Sequence, residues 1–344
     1  MIALQKVAKG HGAEFRDVPV PAPGPRDLLV KVRATALCKS DVEVLEWTPL
    51  VAAGNLPLPL TLGHEFAGEV VAVGELVRQF KIGDHVAGET HIPCETCPEC
   101  RTDHKHICSG GMGVLGRNVN GSFAEYILLP EISAIRVKRD APFEEMALLE
   151  PLGTALHALQ KAQPSGKTVA ILGVGTIGLM ACEMARALGA TRVIALDINK
   201  DRLAYSRELG ADVALDGREG DFVARARELT HGSGVDAVVD FTGSPRVINQ
   251  AIDALRTAGT LVQVGMVGAE MTIPQYMYRV VYRELLLTGI FGRHMYKTWE
   301  LLNALLETGK VLPRRYVAKV MPLSEYATAW EQFDTYNGRA VMIP

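Results

Sequence analysis

The spacing of hydrophobic positions divides the chain into two kinds of sequence. Up to about residue 135, short runs of alternating apolar and polar residues are separated by glycine and proline. An alternation with a period of two residues is typical of half-buried strands. We therefore predict a β-rich barrel or sandwich in this region, with strands over 28–33, 66–73 and 85–88.

From about residue 168 the pattern changes to buried strands that alternate with helices of about ten residues. This alternation predicts βαβ units and a parallel sheet. The predicted strands cover 168–172, 192–196, 212–215, 235–240, 260–264 and 285–290. The predicted helices cover 178–188, 200–209, 219–230, 245–256 and 298–308, and a last strand covers 340–343.

Length and composition set further limits on the kind of protein. The 344 residues suffice for two domains, and 48% hydrophobic with 22% charged residues exclude a disordered or collagen-like chain. A net charge of −3 gives no reason to expect a nucleic acid or an acidic membrane as partner.

The longest stretch without charged residues, 47–64, contains three prolines, so no membrane span is expected. Since the N-terminus lacks signal-peptide zones, we expect a cytoplasmic protein.

A glycine-rich turn joins the first strand of the second region to a helix. Gly173, Gly175 and Gly178 follow strand 168–172 in the pattern Gly-x-Gly-x-x-Gly, which also contains Ile177. In this context the glycines allow a tight turn, close approach of the backbone to a pyrophosphate, and close packing of helix on strand. The helix N-terminus then offers N–H groups to the phosphate. The pattern predicts a dinucleotide-binding site.

Two residues after this turn bear on the choice of dinucleotide. Asp197 ends the next strand, nineteen residues after Gly178. A carboxylate there accepts hydrogen bonds from ribose hydroxyls and repels a 2′-phosphate, so Asp197 favours NAD over NADP. Asp197 could instead cap the helix that begins near Lys200. Arg202 could lie over the adenine or be a solvated helix residue.

Four of the six cysteines, at Cys94, Cys97, Cys100 and Cys108, lie within fifteen residues. In a reducing compartment such a cluster indicates metal binding before disulfides. Four thiolates make a closed structural zinc site with no position left for chemistry. An iron–sulfur cluster and a redox-active Cys-x-x-Cys pair are the alternatives. The spacing differs from that of bacterial ferredoxins, and a redox pair leaves two thiols without a role.

The order of these motifs resembles the zinc-containing medium-chain dehydrogenase/reductase family over essentially the whole chain. The matching segments are 38–41 (Cys-Lys-Ser-Asp), 63–65 (Gly-His-Glu), the four-cysteine loop, 150–153 (Glu-Pro-Leu-Gly) and 173–178 together with Asp197. The resemblance implies an α/β protein with a β-rich, GroES-like catalytic domain at 1–151. It also implies a doubly wound Rossmann NAD-binding domain at 152–294, a return to the catalytic domain at 295–344, and a tetramer or dimer, of which a homotetramer is the expectation.

The resemblance also implies a catalytic zinc site, which spacing alone cannot show. Cys38, His64 and Glu150 would be ligands, and Glu65 a ligand or near-ligand that exchanges with water. Taken singly, each of these residues also fits a buried thiol, a turn or a solvated side chain. Zinc lowers the pKa of an alcohol, which then gives its hydride to the nicotinamide. With the four-cysteine site, we expect two zinc ions per chain.

Proton release is implied to begin at Ser40, two residues after the zinc cysteine, where the family has Ser or Thr. Ser40 could also be an ordinary turn hydroxyl. The relay of the family often ends on a histidine five residues after the cysteine, and this chain has Glu43 there. Glu43 could act as a general base, or the relay could run through water. Lys39 also departs from the family, which usually has glycine at this position.

Within the family, four segments look most like the L-threonine 3-dehydrogenases: 89–94, 121–126, 150–157 and 289–299. They imply that His91 lies beside the substrate, although it could be a loop histidine bonded to backbone. They also imply a cofactor site lined by Val264, Gly265, Met266, Ile290 and Phe291.

The expected reaction is oxidation of a small secondary alcohol, first L-threonine to 2-amino-3-oxobutanoate. The chain departs from the family at Lys39 and Glu43, and it has Thr154 where threonine dehydrogenases usually have Asn. Because of these departures, a sorbitol-type polyol or sugar alcohol is the alternative substrate. A non-catalytic dinucleotide-binding protein is the remaining class. Relatives of that kind lack the catalytic ligands, which this chain retains.

Overall fold

The computed structural model describes residues 1–268 and 270–344. The strands in this part of the chain are β1 (Ile2–Lys6), β2 (Glu14–Asp17), β3 (Asp27–Ala36), β4 (Leu60–Thr61), β5 (Glu65–Val73), β6 (His85–Gly88), β7 (His91–Ile92), β8 (Gly113–Val114), β9 (Tyr126–Pro130), β10 (Ala134–Arg136), β11 (Thr168–Leu172), β12 (Arg192–Asp197), β13 (Val213–Asp216), β14 (Val235–Asp240), β15 (Leu255–Gln263), β16 (Leu286–Gly289), β17 (Val317–Pro322) and β18 (Arg339–Ile343). The α-helices are α1 (Lys39–Glu46), α2 (Pro49–Ala53), α3 (Pro98–Arg101), α4 (Phe143–Met146), α5 (Leu149–Ala162), α6 (Thr176–Ala187), α7 (Lys200–Glu208), α8 (Phe222–Leu229), α9 (Pro245–Ala254), α10 (Lys297–Glu307) and α11 (Tyr326–Glu331). None of the helices in the described ranges combines the length and the hydrophobicity needed to cross a membrane.

These elements form two compact units. The first consists of Met1–Pro151 and Pro313–Pro344, and the second of Leu152–Leu312. The return to the first unit therefore begins at Pro313 rather than at 295 as predicted. The reason is α10, which belongs to the second unit: its Trp299 is buried, and the hydroxyl of Thr298 donates a 2.8 Å hydrogen bond to Gln160 of α5.

The first unit is β-rich, as predicted. Its main sheet has the strand order β10-β6-β5-β3-β18-β17, with β9 also pairing with β3, and two smaller sheets have the orders β2-β1-β4 and β7-β8. The strands predicted over 28–33, 66–73 and 85–88 correspond to β3, β5 and β6. Alternate side chains of these strands, such as Val30 and Val70, are buried in one core, which explains the period-two pattern of the sequence.

The second unit is a doubly wound α/β domain, which confirms the predicted fold class. Its parallel sheet has the order β13-β12-β11-β14-β15-β16, the Rossmann arrangement when numbered from β11. The predicted strands and helices overlap β11–β16 and α6–α10. β15 begins at Leu255, before the predicted 260, because α9 ends at Ala254 and Leu255 pairs at once with Val235.

Helix α5, which carries Glu150 in its first turn, is an element that the sequence pattern does not predict. Pro151 and Gly153 are typical of loops. A proline in the first turn of a helix, however, lacks only an N–H that has no partner in the helix anyway. Gly153 is required by close packing, because a Cβ there would lie 2.6 Å from Cγ of Arg293.

Candidate metal centre and dinucleotide site

A thiol, an imidazole and a carboxylate come together at one end of the β3–β5 pair. One ligand atom each of Cys38, His64 and Glu65 lies within 4.8 Å of the others. The pairing of Ala36 with Glu65 explains the approach, because Cys38 follows the end of β3 while His64 precedes β5. The tertiary structure therefore joins two motifs that lie 26 residues apart in the sequence.

The carboxylate of Asp41 holds this cluster together. Its two oxygens accept hydrogen bonds from the backbone N–H groups of Cys38 (3.0 Å) and Gly63 (3.3 Å). Oδ1 also lies 3.4 Å from Nδ1 of His64. Burial alone would lower the pKa of His64, but the neighbouring Asp41 and Cys38 raise it well above its usual value. Asp41 belongs to the 38–41 motif, although its positioning role was not predicted.

A buried ion pair with Arg339 engages Glu65. Nε and Nη2 of Arg339 donate hydrogen bonds of 2.8–3.2 Å to both carboxylate oxygens, and Nη2 lies 3.7 Å from the Cys38 sulfur. The side chains are 4% and 0% exposed. Burial would lower the pKa of Arg339, but Glu65 and Cys38 raise it above its usual value, so the guanidinium stays charged. Sequence reasoning missed Arg339, since nothing local links it to a residue 274 positions earlier.

Glu150 borders the same cluster, and its carboxylate contributes to raising the pKa of Arg339. Its Oε1 accepts a 2.6 Å hydrogen bond from the hydroxyl of Thr90, and the residue is 8% exposed. It does not belong to the group of atoms within 4.8 Å. The donors that converge are therefore Cys38, His64 and Glu65, and Glu150 borders them. Sulfur, nitrogen and oxygen donors with one open position are typical of catalytic zinc, so this donor set fits the ion.

The four cysteines of the 94–108 loop also converge, with their sulfur atoms within 4.8 Å of one another. All are free thiols. The backbone N–H of Cys94 donates to the Cys108 sulfur at 3.3 Å, and a Cβ at Gly110 would lie 2.4 Å from the Cys94 sulfur. Hydrogen bonding by Thr96 lowers the pKa of Cys94 to about 6, whereas burial raises that of Cys100 to about 12. Four converging sulfur atoms of this kind fit zinc or an iron–sulfur cluster.

The three predicted catalytic residues all lie in the first unit. Ser40 is half-buried in the first turn of α1. Glu43 lies one turn further along, with Oε2 3.5 Å from Nη2 of Arg117. His91 begins β7 and is 4% exposed; its Nδ1 lies 2.8 Å from Oε1 of Glu89, which also accepts its backbone N–H at 3.1 Å. The carboxylate therefore fixes the orientation of the His91 ring.

The glycines of the 173–178 turn have the backbone features that phosphate binding requires. Gly173 has a φ of +83°, which favours glycine. A Cβ at Gly178 would lie 2.1 Å from the carbonyl oxygen of Gly173, so helix and turn pack closely. At Gly175 the nearest atom to a Cβ is Nη1 of Arg202, 4.0 Å away, which leaves space beside the N-terminus of α6. Ile177 lies in the first turn of α6.

Asp197 connects the end of β12 to this turn. Its Oδ2 accepts the N–H of Val174 at 2.7 Å, and its Oδ1 accepts those of Ile198 and Asn199 at 2.7 and 2.9 Å. The cap of α7 is Asn199, whose side chain accepts two backbone N–H groups. Asp197 therefore does not act as the helix cap. Three of its roughly four acceptor positions are filled, and one is left for a ligand.

The remaining predicted cofactor residues follow the carboxyl ends of β15 and β16, where ligands bind in open α/β sheets. They are Val264, Gly265, Met266, Ile290 and Phe291. Met266 and Phe291 are 60% and 51% exposed, unusually high for large apolar side chains.

Sequence reasoning missed Asp240, a fully buried carboxylate at the end of β14 that accepts hydrogen bonds from Thr242, Gly243 and Gln263.

Known proteins resemble this chain over its whole length. Residues 24–139 match the alcohol dehydrogenase GroES-like domain, and residues 176–308 match the zinc-binding dehydrogenase family. The L-threonine 3-dehydrogenase of Symbiobacterium thermophilum is 39% identical over 346 residues, covering 100% of this chain and 98% of that protein. The zinc-binding dehydrogenase of Sinorhizobium meliloti 1021, solved with NADP, is 30% identical with a TM-score of 0.89 over 100% of this chain and 99% of its own. Galactitol-1-phosphate dehydrogenase of Escherichia coli is 27% identical with a TM-score of 0.91 over 100% of both chains.

The family matches and the full-length relative agree with the geometry of both sites. A thiol–imidazole–carboxylate cluster lies in the GroES-like unit, and the turn of a nicotinamide dinucleotide site lies in the Rossmann unit. The chain therefore belongs to the zinc-containing medium-chain dehydrogenase/reductase family, the enzymes that oxidise alcohols with zinc and a nicotinamide dinucleotide.

Proposed function

We propose that this enzyme oxidises L-threonine to 2-amino-3-oxobutanoate with NAD. The observation that carries the proposal is the cluster of Cys38, His64 and Glu65, bordered by Glu150, in a chain 39% identical to an L-threonine 3-dehydrogenase. These residues would hold a zinc ion, which would lower the pKa of a substrate hydroxyl, and the 173–178 turn would hold the dinucleotide that accepts the hydride. We further propose that a second zinc ion binds the four cysteines and that the enzyme is a cytoplasmic homotetramer.

The residues of the chain prepare the site for this reaction in distinct ways. Asp41 orients His64 and fixes the loop at Gly63. Arg339 neutralises the buried charge of Glu65. Ser40, on the first turn of α1, receives the hydroxyl proton and passes it to water. The carboxylate of Glu43 is already paired with Arg117, which suits a binding role better than proton transfer.

Formation of NADH from a panel of alcohols tests the proposal. L-threonine should give the highest kcat/KM, ahead of L-serine, sorbitol, xylitol and butane-2,3-diol. A polyol that reacts faster than L-threonine would reassign the substrate without affecting the zinc and dinucleotide sites. That alternative is supported by the departures at Lys39, Glu43 and Thr154 and by the structural likeness to galactitol-1-phosphate dehydrogenase.

Asp197 should determine the preference for NAD. Asp197→Asn removes the negative charge but keeps the shape of the side chain. We expect the ratio of kcat/KM with NAD to that with NADP to fall by at least about tenfold, or about 1.4 kcal/mol, because the 2′-phosphate is no longer repelled. Asp216→Asn is the matched control: this carboxylate ends the neighbouring strand and pairs with Arg218, so the ratio should not change. A wild-type enzyme that already prefers NADP would contradict this role of Asp197.

Cys108 closes the four-cysteine loop, and its replacement should release one metal ion. Cys108→Ser should lower the zinc content from about two to about one per chain, measured by atomic emission. It should also lower the Tm by about 5 °C or more, since binding of a structural metal is linked to folding. Cys182→Ala, at a buried thiol outside both clusters, should retain both zinc ions. Two zinc ions and an unchanged Tm in Cys108→Ser would rule out the assignment.

A further inference from the structure

We infer that Arg117 and Glu43 bind the carboxylate and the ammonium group of the substrate, respectively, and so make the site selective for zwitterionic alcohols. The inference rests on the proposed oxidation of an amino acid and adds the residues that recognise it. Neither residue is a metal ligand, and both belong to the first unit.

Arg117 lies in a hydrogen-bonded turn, next to a glycine that contacts the loop before His64. Its N–H donates to the carbonyl of Val114 at 3.1 Å, and the side chain of Asn118 closes the turn by accepting the N–H of Val114 at 2.6 Å. The preceding Gly116 has a φ of +71°, and a Cβ there would lie 2.9 Å from the carbonyl oxygen of Gly63. Gly63 directly precedes His64. Arg117 is thus one residue away from a backbone contact with the loop that carries a metal ligand.

Glu43 lies on the helix that directly follows Cys38. Helix α1 begins after Cys38, which is its N-cap, so Glu43 lies about 7–8 Å further along the helix axis. Ser40 and Glu43 are three positions apart and lie on the same side of the helix. The ion pair between Glu43 and Arg117 therefore joins the helix that follows Cys38 to a turn that contacts Gly63, the residue before His64.

The geometry of this ion pair leaves capacity for a ligand. Oε2 of Glu43 and Nη2 of Arg117 are 3.5 Å apart, a single long contact, whereas Arg339 and Glu65 make three bonds of 2.8–3.2 Å. The side chains are only 14% and 30% exposed. Within 1–268 and 270–344, the Arg117 guanidinium forms no side-chain hydrogen bond or ion pair besides the one with Glu43. A guanidinium has five donors and a carboxylate about four acceptor positions, so most of them remain available to a ligand in a partly desolvated place.

An α-amino acid carries the two charged groups that complement Arg117 and Glu43. A guanidinium binds a carboxylate with two parallel hydrogen bonds, and a carboxylate binds an ammonium group through charge-assisted bonds. In a 3-hydroxy amino acid both groups are attached to the carbon next to the reacting carbon. A hydroxyl group at the cluster of Cys38, His64 and Glu65 thus brings both charges to the same part of the first unit. A neutral polyol offers no charge to either residue.

Four alcohols separate the two contacts, because each carries a different combination of charges. L-threonine has both groups, 3-hydroxybutanoate only the carboxylate, 1-aminopropan-2-ol only the ammonium group, and butan-2-ol neither. Arg117→Met should lower kcat/KM for L-threonine and 3-hydroxybutanoate by about 10- to 100-fold, the usual value of a charge-assisted contact, and leave the other two nearly unchanged. Glu43→Gln should have the same effect on L-threonine and 1-aminopropan-2-ol. Affinity of the enzyme–NADH complex for L-2-aminobutanoate, which lacks the hydroxyl, should fall in both variants and gives a readout without turnover.

The ion pair of Arg33 and Glu69 supplies a matched control in the same unit. Its side chains are 2.7 Å apart and 40% and 31% exposed, and Arg33→Met or Glu69→Gln should not change any of the four rates. Arg117→Lys, which keeps the charge, should retain the preference for carboxylate substrates and serves if Arg117→Met does not fold. Equal loss with all four alcohols, or no loss, would assign Arg117 and Glu43 to structure alone and overturn the inference. No NADH from any alcohol with the wild-type enzyme would overturn the proposed function, and the inference with it.

Discussion

Replacement of Cys38 by alanine should abolish alcohol oxidation and remove one zinc ion per chain. We expect kcat/KM to fall by about 10³- to 10⁴-fold, because metal-ion catalysis contributes several kcal/mol and the remaining ligands do not hold the ion. The four-cysteine site should keep its zinc, since its sulfur atoms form a separate cluster. Zinc content measured by atomic emission, together with NADH formation, checks both expectations.

Cys182→Ala is the matched control for this experiment. Cys182 is fully buried in α6, and burial raises the pKa of its thiol to about 12, so it stays protonated and does not bind metal. Its removal should leave both zinc content and activity near those of the wild type. A Cys38→Ala enzyme with full zinc content and full activity would exclude Cys38 as a ligand.

Replacement of Arg339 by methionine should cause the largest loss of stability. The variant leaves the carboxylate of Glu65 buried without its cation, and breaking a buried ion pair in this way costs about 3–5 kcal/mol. Urea denaturation should show the loss as a lower midpoint of the first unit. The double variant Glu65→Gln/Arg339→Met should recover most of it, because no buried charge then remains without a partner.

An exposed ion pair provides the comparison. Arg225 and Glu228 are three residues apart on α8 and 43% and 67% exposed, so Arg225→Met should change the free energy of unfolding by no more than about 0.5 kcal/mol. If Arg339→Met were as stable as Arg225→Met, the Glu65–Arg339 pair would contribute no stability. If the double variant were no more stable than Arg339→Met, the loss would come from packing of the arginine side chain and not from its charge.

The sequence by itself determined the features whose signal is local. The glycine turn at 173–178 is one such feature, because turn, strand and helix follow one another in the chain and each has its own periodicity. The four cysteines are another, since all the ligands fall within fifteen residues. The alternation of strands and helices also fixed the class of the second unit, because short right-handed crossovers leave few other topologies.

The catalytic cluster could be predicted only through resemblance. Nothing in the spacing of Cys38, His64 and Glu150 states that the chain brings them together. The approach of Cys38 to His64 arises from the pairing of β3 with β5. Glu150 lies on α5, a helix that the sequence pattern does not predict because of its proline and glycine. Strand pairing of this kind depends on contacts between distant residues, which local periodicity does not encode.

The tertiary structure alone decided which partners complete each site. Arg339 reaches Glu65 because β18 pairs with β3 beside β5, so two residues 274 positions apart meet in the same sheet. The return of the chain at Pro313 follows from the packing of α10, and not from any break in the sequence pattern. Burial makes these contacts specific, since a charge removed from water must find a partner of opposite sign, and only the folded chain supplies one.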